Sequence, residues 1–206
     1  MMRERPILFS TSMVRALLDG AKTQTRRVIR EHSPYRIVDE REDGSPWLFW
    51  FDPNHGPEYH EAPSPYGTRG DRLWVRETFA PNYFDDGGAG YRADWTPDAA
   101  NFCPEPRWKP SIFMPRTLSR ITLEVIDIRV ERLQHISTRD AMAEGVAAAG
   151  GAEASGWDPR ETYRKLWDDI NAKRPGCAWS SNPWVWVVEF GALEPSGAAV
   201  SIEVAS

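Results

Sequence analysis

Ile121-Thr122-Leu123-Glu124-Val125-Ile126-Asp127-Ile128-Arg129-Val130 is the stretch on which the fold turns. Its apolar residues alternate at 121, 123 and 125, then slip in phase to 126, 128 and 130. Alternation marks a strand with one buried face, and a one-residue slip turns every later side chain over unless a residue is bulged out. The pattern therefore predicts a long strand with a β-bulge near Val125 and Ile126, a device that bends strands at barrel rims.

Outward from this strand, Trp184-Val185-Trp186-Val187-Val188-Glu189-Phe190 reads as a second β segment buried in part on both faces, with Trp184 and Trp186 in the core. Gly70-Asp71 makes a turn before the strand Arg72 to Glu77, and Pro6-Ile7-Leu8-Phe9 reads as the first strand. Three helices are expected between them. One is capped by Ser10 or Ser12, carries Met13, Val14, Leu17 and Leu18 as its apolar stripe, and stops at Gly20. A short one opens on the capping-box-like Ser137-Thr138-Arg139-Asp140, runs through Glu144 and is closed by Gly145. The third starts at Asp158-Pro159 and places Tyr163, Leu166, Trp167 and Ile170 at helical spacing. Residues 31–69 and 81–112 are rich in Pro, Gly and aromatics and read as insertions, the first crossed by an aromatic strand at Trp47 to Phe51. Residues 147–156 read as mobile and 193–206 as a flexible tail. The whole predicts a single α+β domain over residues 1–192, a small bent β-barrel with inserted short helices rather than a doubly wound sheet.

Composition narrows the function. Cys103 and Cys177 have neither metal spacing nor a disulfide framework, and no run is apolar enough for a membrane span or secretory leader, so a cytoplasmic location is expected. His32, His55, His60 and His135 are scattered, Asp85-Asp86 reads as a turn, and no glycine-rich dinucleotide or phosphate loop is present; neither a metal nor a cofactor is expected. Six Arg and Lys22 stand against Glu4 and Asp19 within residues 1–30, leaving +5 there and −10 elsewhere in a chain of net charge −5. A small basic mouth of this kind suits one nucleotide or a short single strand better than a long duplex.

The basic segment includes Gly20-Ala21-Lys22-Thr23-Gln24-Thr25-Arg26-Arg27, read as a compact loop after the first helix. It gathers an amine, a hydroxyl and two guanidinium groups. Arg26 and Arg27 are candidate substrate-binding residues, Arg27 suited to a phosphate or a base carbonyl and Arg26 alternatively facing solvent; a surface ion pair accounts for either equally well. Trp74 can stack on a base, Arg76 and Glu77 can line the mouth of a barrel, and Glu77 can accept from a base amine. For Trp74 the alternative is a core position, and for Arg76 and Glu77 a cross-strand charge pair.

The motifs Gly20 to Arg27, Gly70 to Val75, Ile121 to Glu144 and Trp184 to Phe190, taken in order, resemble the ASCH domain of the PUA-like superfamily and cover about half the chain. The segments Trp108 to Arg116 and Arg174 to Trp186 are similar to those of longer ASCH-like proteins of phages and prophages. The resemblance implies a PUA-like barrel that binds a nucleoside, nucleotide or short single-stranded RNA. Through members similar to bacterial N4-acetylcytidine amidohydrolase it also implies cleavage of an acyl amide, with Lys22, Thr25 and Glu144 as the catalytic set. A non-catalytic RNA or modified-base binding module and a metal-independent ribonuclease are the alternatives it leaves open. In the amidohydrolase reading a threonine attacks only when a neighbour takes its proton, so Lys22 must be neutral in the productive state. Glu144, at a helix C-terminus where the dipole disfavours negative charge, is expected to seek a cation or a proton.

Overall fold

A computed structural model describes residues 2–29, 64–84, 87–96, 105–146 and 156–193 in full, and residues 35–40, 46–50 and 60–61 as backbone. Five strands form the principal sheet: β1 (Glu4–Leu8), β2 (Gln24–Val28), β6 (Arg72–Arg76), β9 (Thr122–Arg132) and β10 (Trp184–Leu193). They lie in the order β1-β6-β9-β10-β2, with β1 and β6 parallel and the other pairs antiparallel. Two further small sheets lie in and beside the sequence insertions. β3 (Tyr35–Glu40), β4 (Pro46–Trp50) and β5 (His60–Glu61) make one, and β7 (Phe79–Ala80) with β8 (Gly90–Tyr91) makes the other. With the helices α1 (Thr11–Leu18), α2 (Thr138–Ala143) and α3 (Pro159–Asn171), the architecture is mixed α+β. The expectations for residues 147–155 and 194–206, for His32 and His55, for Asp85-Asp86 and for Cys103 lie outside the described residues.

The phase slip in β9 is a bulge. Glu189 of β10 pairs with Asp127 and the next residue, Phe190, pairs with Val125, which leaves Ile126 as the extra residue, half exposed at 50%. Before the bulge Leu123 and Val125 enter the core; after it Ile128 and Val130 pack against that same core. Arg129 and Glu131 are thereby turned to the opposite face of the sheet. Gly70, at φ +86°, brings the preceding turn against this point, where its N–H donates to the Val125 carbonyl at 2.9 Å.

Two apolar layers flank the sheet. α1 covers one side by packing Val14 and Leu17 with Ile7, Leu73, Val188 and Phe190. α2 and α3 cover the other by packing Ala141, Tyr163 and Trp167 against Val185 and Val187. β10 is accordingly buried on both faces, with Trp186 in the first core and Trp184 half-buried beside it. Leu18, expected in the apolar stripe of α1, is instead 51% exposed at the last residue of the helix, while Val14 and Leu17 are buried.

The basic octapeptide is not a loop throughout. Gly20, at φ +70°, turns the chain, and Gln24 to Val28 then form the edge strand β2 in register with Val185 to Glu189. A sequence of Gln-Thr-Arg-Arg-Val has no apolar alternation, yet it forms a strand because its polar side chains find partners inside the protein.

Candidate functional site

β1 and β2 are the two edges of the sheet, and no backbone ladder joins them among the described residues. The Arg27 guanidinium spans this seam by donating from Nη2 to the Leu8 carbonyl at 2.6 Å. A cavity of about 480 Å³ opens there, lined by Pro6 to Leu8 of β1, Thr25 to Val28 of β2, and the Leu166 to Asn171 face of α3. Its volume lies in the range of small-molecule sites, about 300 to 1,000 Å³.

Glu144 reaches this cavity because of how α2 ends. The Ser137 hydroxyl accepts from the Asp140 N–H at 3.1 Å and the Asp140 carboxylate accepts from the Ser137 N–H at 3.3 Å, a reciprocal capping box. One helical turn later Gly145 adopts φ +85°, and a Cβ there would stand 2.9 Å from the Ala16 Cβ and 3.0 Å from the Lys22 Cβ. The absence of that Cβ lets the end of α2 press against α1 and Lys22. Backbone bonds then fix the contact, with the Lys22 N–H on the Ala16 carbonyl and the Thr23 N–H on the Ala143 carbonyl, both at 2.9 Å.

The side chains form a buried ion-pair cluster. Lys22 Nζ donates to Glu144 Oε2 at 2.9 Å and to the Glu144 and Gln24 carbonyls at 2.8 Å each, using all three of its hydrogens. Burial lowers the Lys22 pKa, and the Glu144 charge only partly opposes it. Glu144 Oε1 accepts from Arg26 Nη1 at 3.4 Å, and the Tyr163 phenol lies beside the same carboxylate. Burial first, then the Glu144 charge, hold the Tyr163 pKa well above its ordinary value, so the phenol is a neutral donor.

Arg26 also donates from Nη2 to Glu131 at 3.1 Å and to Asp140 at 3.3 Å. Gln24 completes the ring, its carboxamide nitrogen donating to Asp140 Oδ1 at 3.2 Å and its oxygen accepting from Arg26 Nη2 at 3.2 Å. Arg129 ties Glu131 to Glu189 from the bulged half of β9. Burial raises the Asp140 pKa, but the Ser137 hydrogen bonds and the Arg26 and Arg129 charges outweigh it and hold the carboxyl below its ordinary value.

Of the residues expected from the sequence, Thr25, Arg26, Arg27 and Glu144 line one cavity, while Lys22 stands behind Glu144 and does not line it. Arg26 does not face solvent: its side chain is fully buried, because three carboxylates from distant segments neutralise it. Trp74, Arg76 and Glu77 lie elsewhere. Trp74 is half-buried between the guanidinium groups of Arg76 and Arg116, at 5.5 and 6.0 Å from its ring. Arg76 donates to the Ile112 carbonyl and so holds a residue of the cavity rim without lining the cavity itself. Glu77 is 2% exposed, and Arg120 occupies both of its oxygens at 2.9 and 3.1 Å. Burial raises the Glu77 pKa against the opposing Arg120 charge.

Sequence reading missed Tyr163 as more than a core residue, and missed Asp140, Glu131 and Arg174 as members of the site. Arg174 had a signal: it continues the Tyr163, Trp167 and Ile170 spacing one step beyond the end of α3, and it lines the cavity. Among the described residues, no group of three His, Cys, Asp or Glu is placed to hold a metal ion, and no helix is long and apolar enough to cross a membrane. No family model, curated protein or solved structure matches the chain.

Proposed function

We propose that this chain is a PUA-like protein of the ASCH type whose seam cavity takes a cytosine nucleoside or nucleotide and cleaves the acyl amide on its N4. The observation that carries the reading is the convergence of Thr25 and Glu144 on one cavity, with Lys22 bonded to Glu144 at 2.9 Å across 122 residues of sequence. In this reading the five-stranded sheet is the bent barrel, closed across its seam by Arg27 and by the ligand, and the protein works in the cytoplasm on a nucleoside, a nucleotide or short single-stranded RNA.

Thr25 is the nucleophile, Lys22 the base and Glu144 the acid. One proton passes along the Lys22–Glu144 hydrogen bond, leaving a neutral amine and a carboxylic acid. The lowered Lys22 pKa acts in the direction this transfer requires. As the Thr25 oxygen bonds to the acyl carbon, its proton goes to the amine and the carbonyl electron pair moves onto the acyl oxygen. Arg26, a residue of the cavity lining, is the cation that offsets that developing charge. Collapse restores the carbonyl and breaks the bond to N4, which leaves as the cytosine amine with the proton of Glu144. Water then cleaves the Thr25 ester by the same exchange in reverse.

The test is release of cytidine from N4-acetylcytidine or its 5′-monophosphate, measured beside Thr25→Ala and Glu144→Gln. Turnover by the wild type, lost in Thr25→Ala, is the expected result. A second reading, base binding without turnover, is favoured by the three satisfied hydrogen bonds of Lys22 and its position behind Glu144. Ligand binding by the wild type with no cytidine released from either compound establishes that reading and removes the amidohydrolase.

A further inference from the structure

We infer that Arg27 and Arg174 together seat a phosphate group in the cavity, so that its ligand is a phosphorylated nucleoside and not the free one. The inference rests on reading the cavity as a base site. The cations around the cavity are partnered unequally. Lys22 is matched by Glu144, and Arg26 by Glu131, Asp140 and Glu144. Arg27 and Arg174 line the same cavity, and neither has a carboxylate partner among the described residues.

Among the described residues Arg27 is bound only to a neutral group, the Leu8 carbonyl, and it lies over the Phe9 ring at 5.2 Å. Its Nε is buried without a hydrogen-bond partner. Arg174 sits exposed on the turn that follows α3, its side chain making no hydrogen bond among the described residues. Two unmatched guanidinium groups are notable in a chain of net charge −5 whose other cavity cations are neutralised with care. Cations gathered in a concave site raise the local concentration of anions, and guanidinium forks match the oxygens of phosphate.

The remainder of the cavity is laid out to match. Thr25 and Arg27 lie two residues apart on one face of β2, about 7 Å along the strand. That spacing separates the proposed acyl end from the phosphate end. The same cavity is lined by apolar side chains open to solvent, Leu8 at 39%, Ile112 at 58% and Ile170 at 45%. A heterocycle covered by these three would give their exposure a purpose, with its acyl group toward Thr25 and Glu144 and its phosphate toward Arg27 and Arg174.

Calorimetric binding to the Thr25→Ala protein, which lacks the proposed nucleophile, tests this without turnover. The probes are N4-acetylcytidine, its 5′-monophosphate, and a five-nucleotide RNA with N4-acetylcytidine at its centre. The monophosphate or the RNA is expected to bind about tenfold or more tightly than the nucleoside, the scale of hydrogen bonds to a charged group. A gain confined to the monophosphate makes the ligand a free nucleotide, and an equal or larger gain with the RNA makes the phosphate that of a polymer. Adding Arg174→Ala should collapse the ratio, and Arg174→Lys should retain part of it. Arg174 is exposed, so these variants keep the fold. Equal affinity for all three probes, or a ratio unchanged by Arg174→Ala, overturns the inference. Wild-type turnover of the nucleoside with no phosphate preference would sink the phosphate seat alone; a phosphate preference without turnover would sink the amidohydrolase alone.

Discussion

Replacing Glu144 by Gln keeps the shape of the side chain and removes its charge. Lys22 retains two backbone carbonyls as acceptors, but its ammonium, fully buried, loses its counter-ion, and Arg26 loses one of three carboxylates. Breaking a buried pair by removing one partner costs about 3 to 5 kcal/mol, because the remaining charge is left uncompensated. For a domain of this size each kcal/mol lowers the melting temperature by about 2 to 4 °C, so the expected loss is about 6 to 20 °C. Lys22→Met should cost less, since Glu144 keeps Arg26 and the Tyr163 phenol. In the double variant Lys22→Met/Glu144→Gln neither charge remains, and the two losses should fall short of additivity by about 0.5 to 3 kcal/mol. Urea unfolding of the four proteins, with midpoints and slopes both fitted, measures this cycle. Additive losses, or a Glu144→Gln protein as stable as the wild type, would refute the buried pair as the support of the site.

Gly145→Ala should destabilise by about 1 to 3 kcal/mol through its positive φ and should also disturb the Lys22 contact. Gly20→Ala is the control: its φ is also positive, but its Cβ would meet nothing within 4 Å, so thermal melts should show a smaller loss. Because burial lowers the Lys22 pKa from its ordinary 10.5, the unfolded chain binds more protons between the two values, and stability should rise with pH up to 10.5. Unfolding free energies across that window should rise less steeply in Lys22→Met. Tyr163 acts in the opposite sense: its folded pKa lies above its ordinary 10.0, so stability is lost as pH climbs past 10.0, and Tyr163→Phe should remove that loss. Deleting Ile126 joins Val125 to Asp127 and restores plain alternation, so Ile128 and Val130 keep the core face, Arg129 and Glu131 keep the other, and a cooperative unfolding transition should persist. Ile126→Ala, at a half-exposed position, should stay within about 0.5 kcal/mol of the wild type. Circular dichroism melts check both, and loss of the cooperative transition in the deletion variant would refute Ile126 as the extra residue.

The legible parts of the fold were those whose signals are local. The bulge showed as a change of phase within ten residues, the cap of α2 as Ser137 with Asp140, and the start of α3 as Asp158-Pro159. The convergence of Thr25 and Glu144 was reached through the order of motifs and not through any pattern around Glu144. Arg26 was illegible for a physical reason. A charged residue beside another arginine on a polar strand reads as solvated, and the three carboxylates that bury it come from β9, α2 and the α2 cap, more than 100 residues away. Glu77 was half legible: a charge pair was one of its two readings, but its partner Arg120, 43 residues distant, gave no local signal.

Asp140 closes the N-terminus of α2 with Ser137 and also holds the Arg26 guanidinium. A helix of six residues cannot persist in water by itself, since nucleating its first turn costs more than so few hydrogen bonds return. α2 is held instead by what it meets, Arg26 at its cap and the Tyr163, Trp167 and β10 side chains around Ala141, and those same contacts bring Glu144 to Lys22. Ordering of α2 and assembly of the cavity wall are therefore coupled.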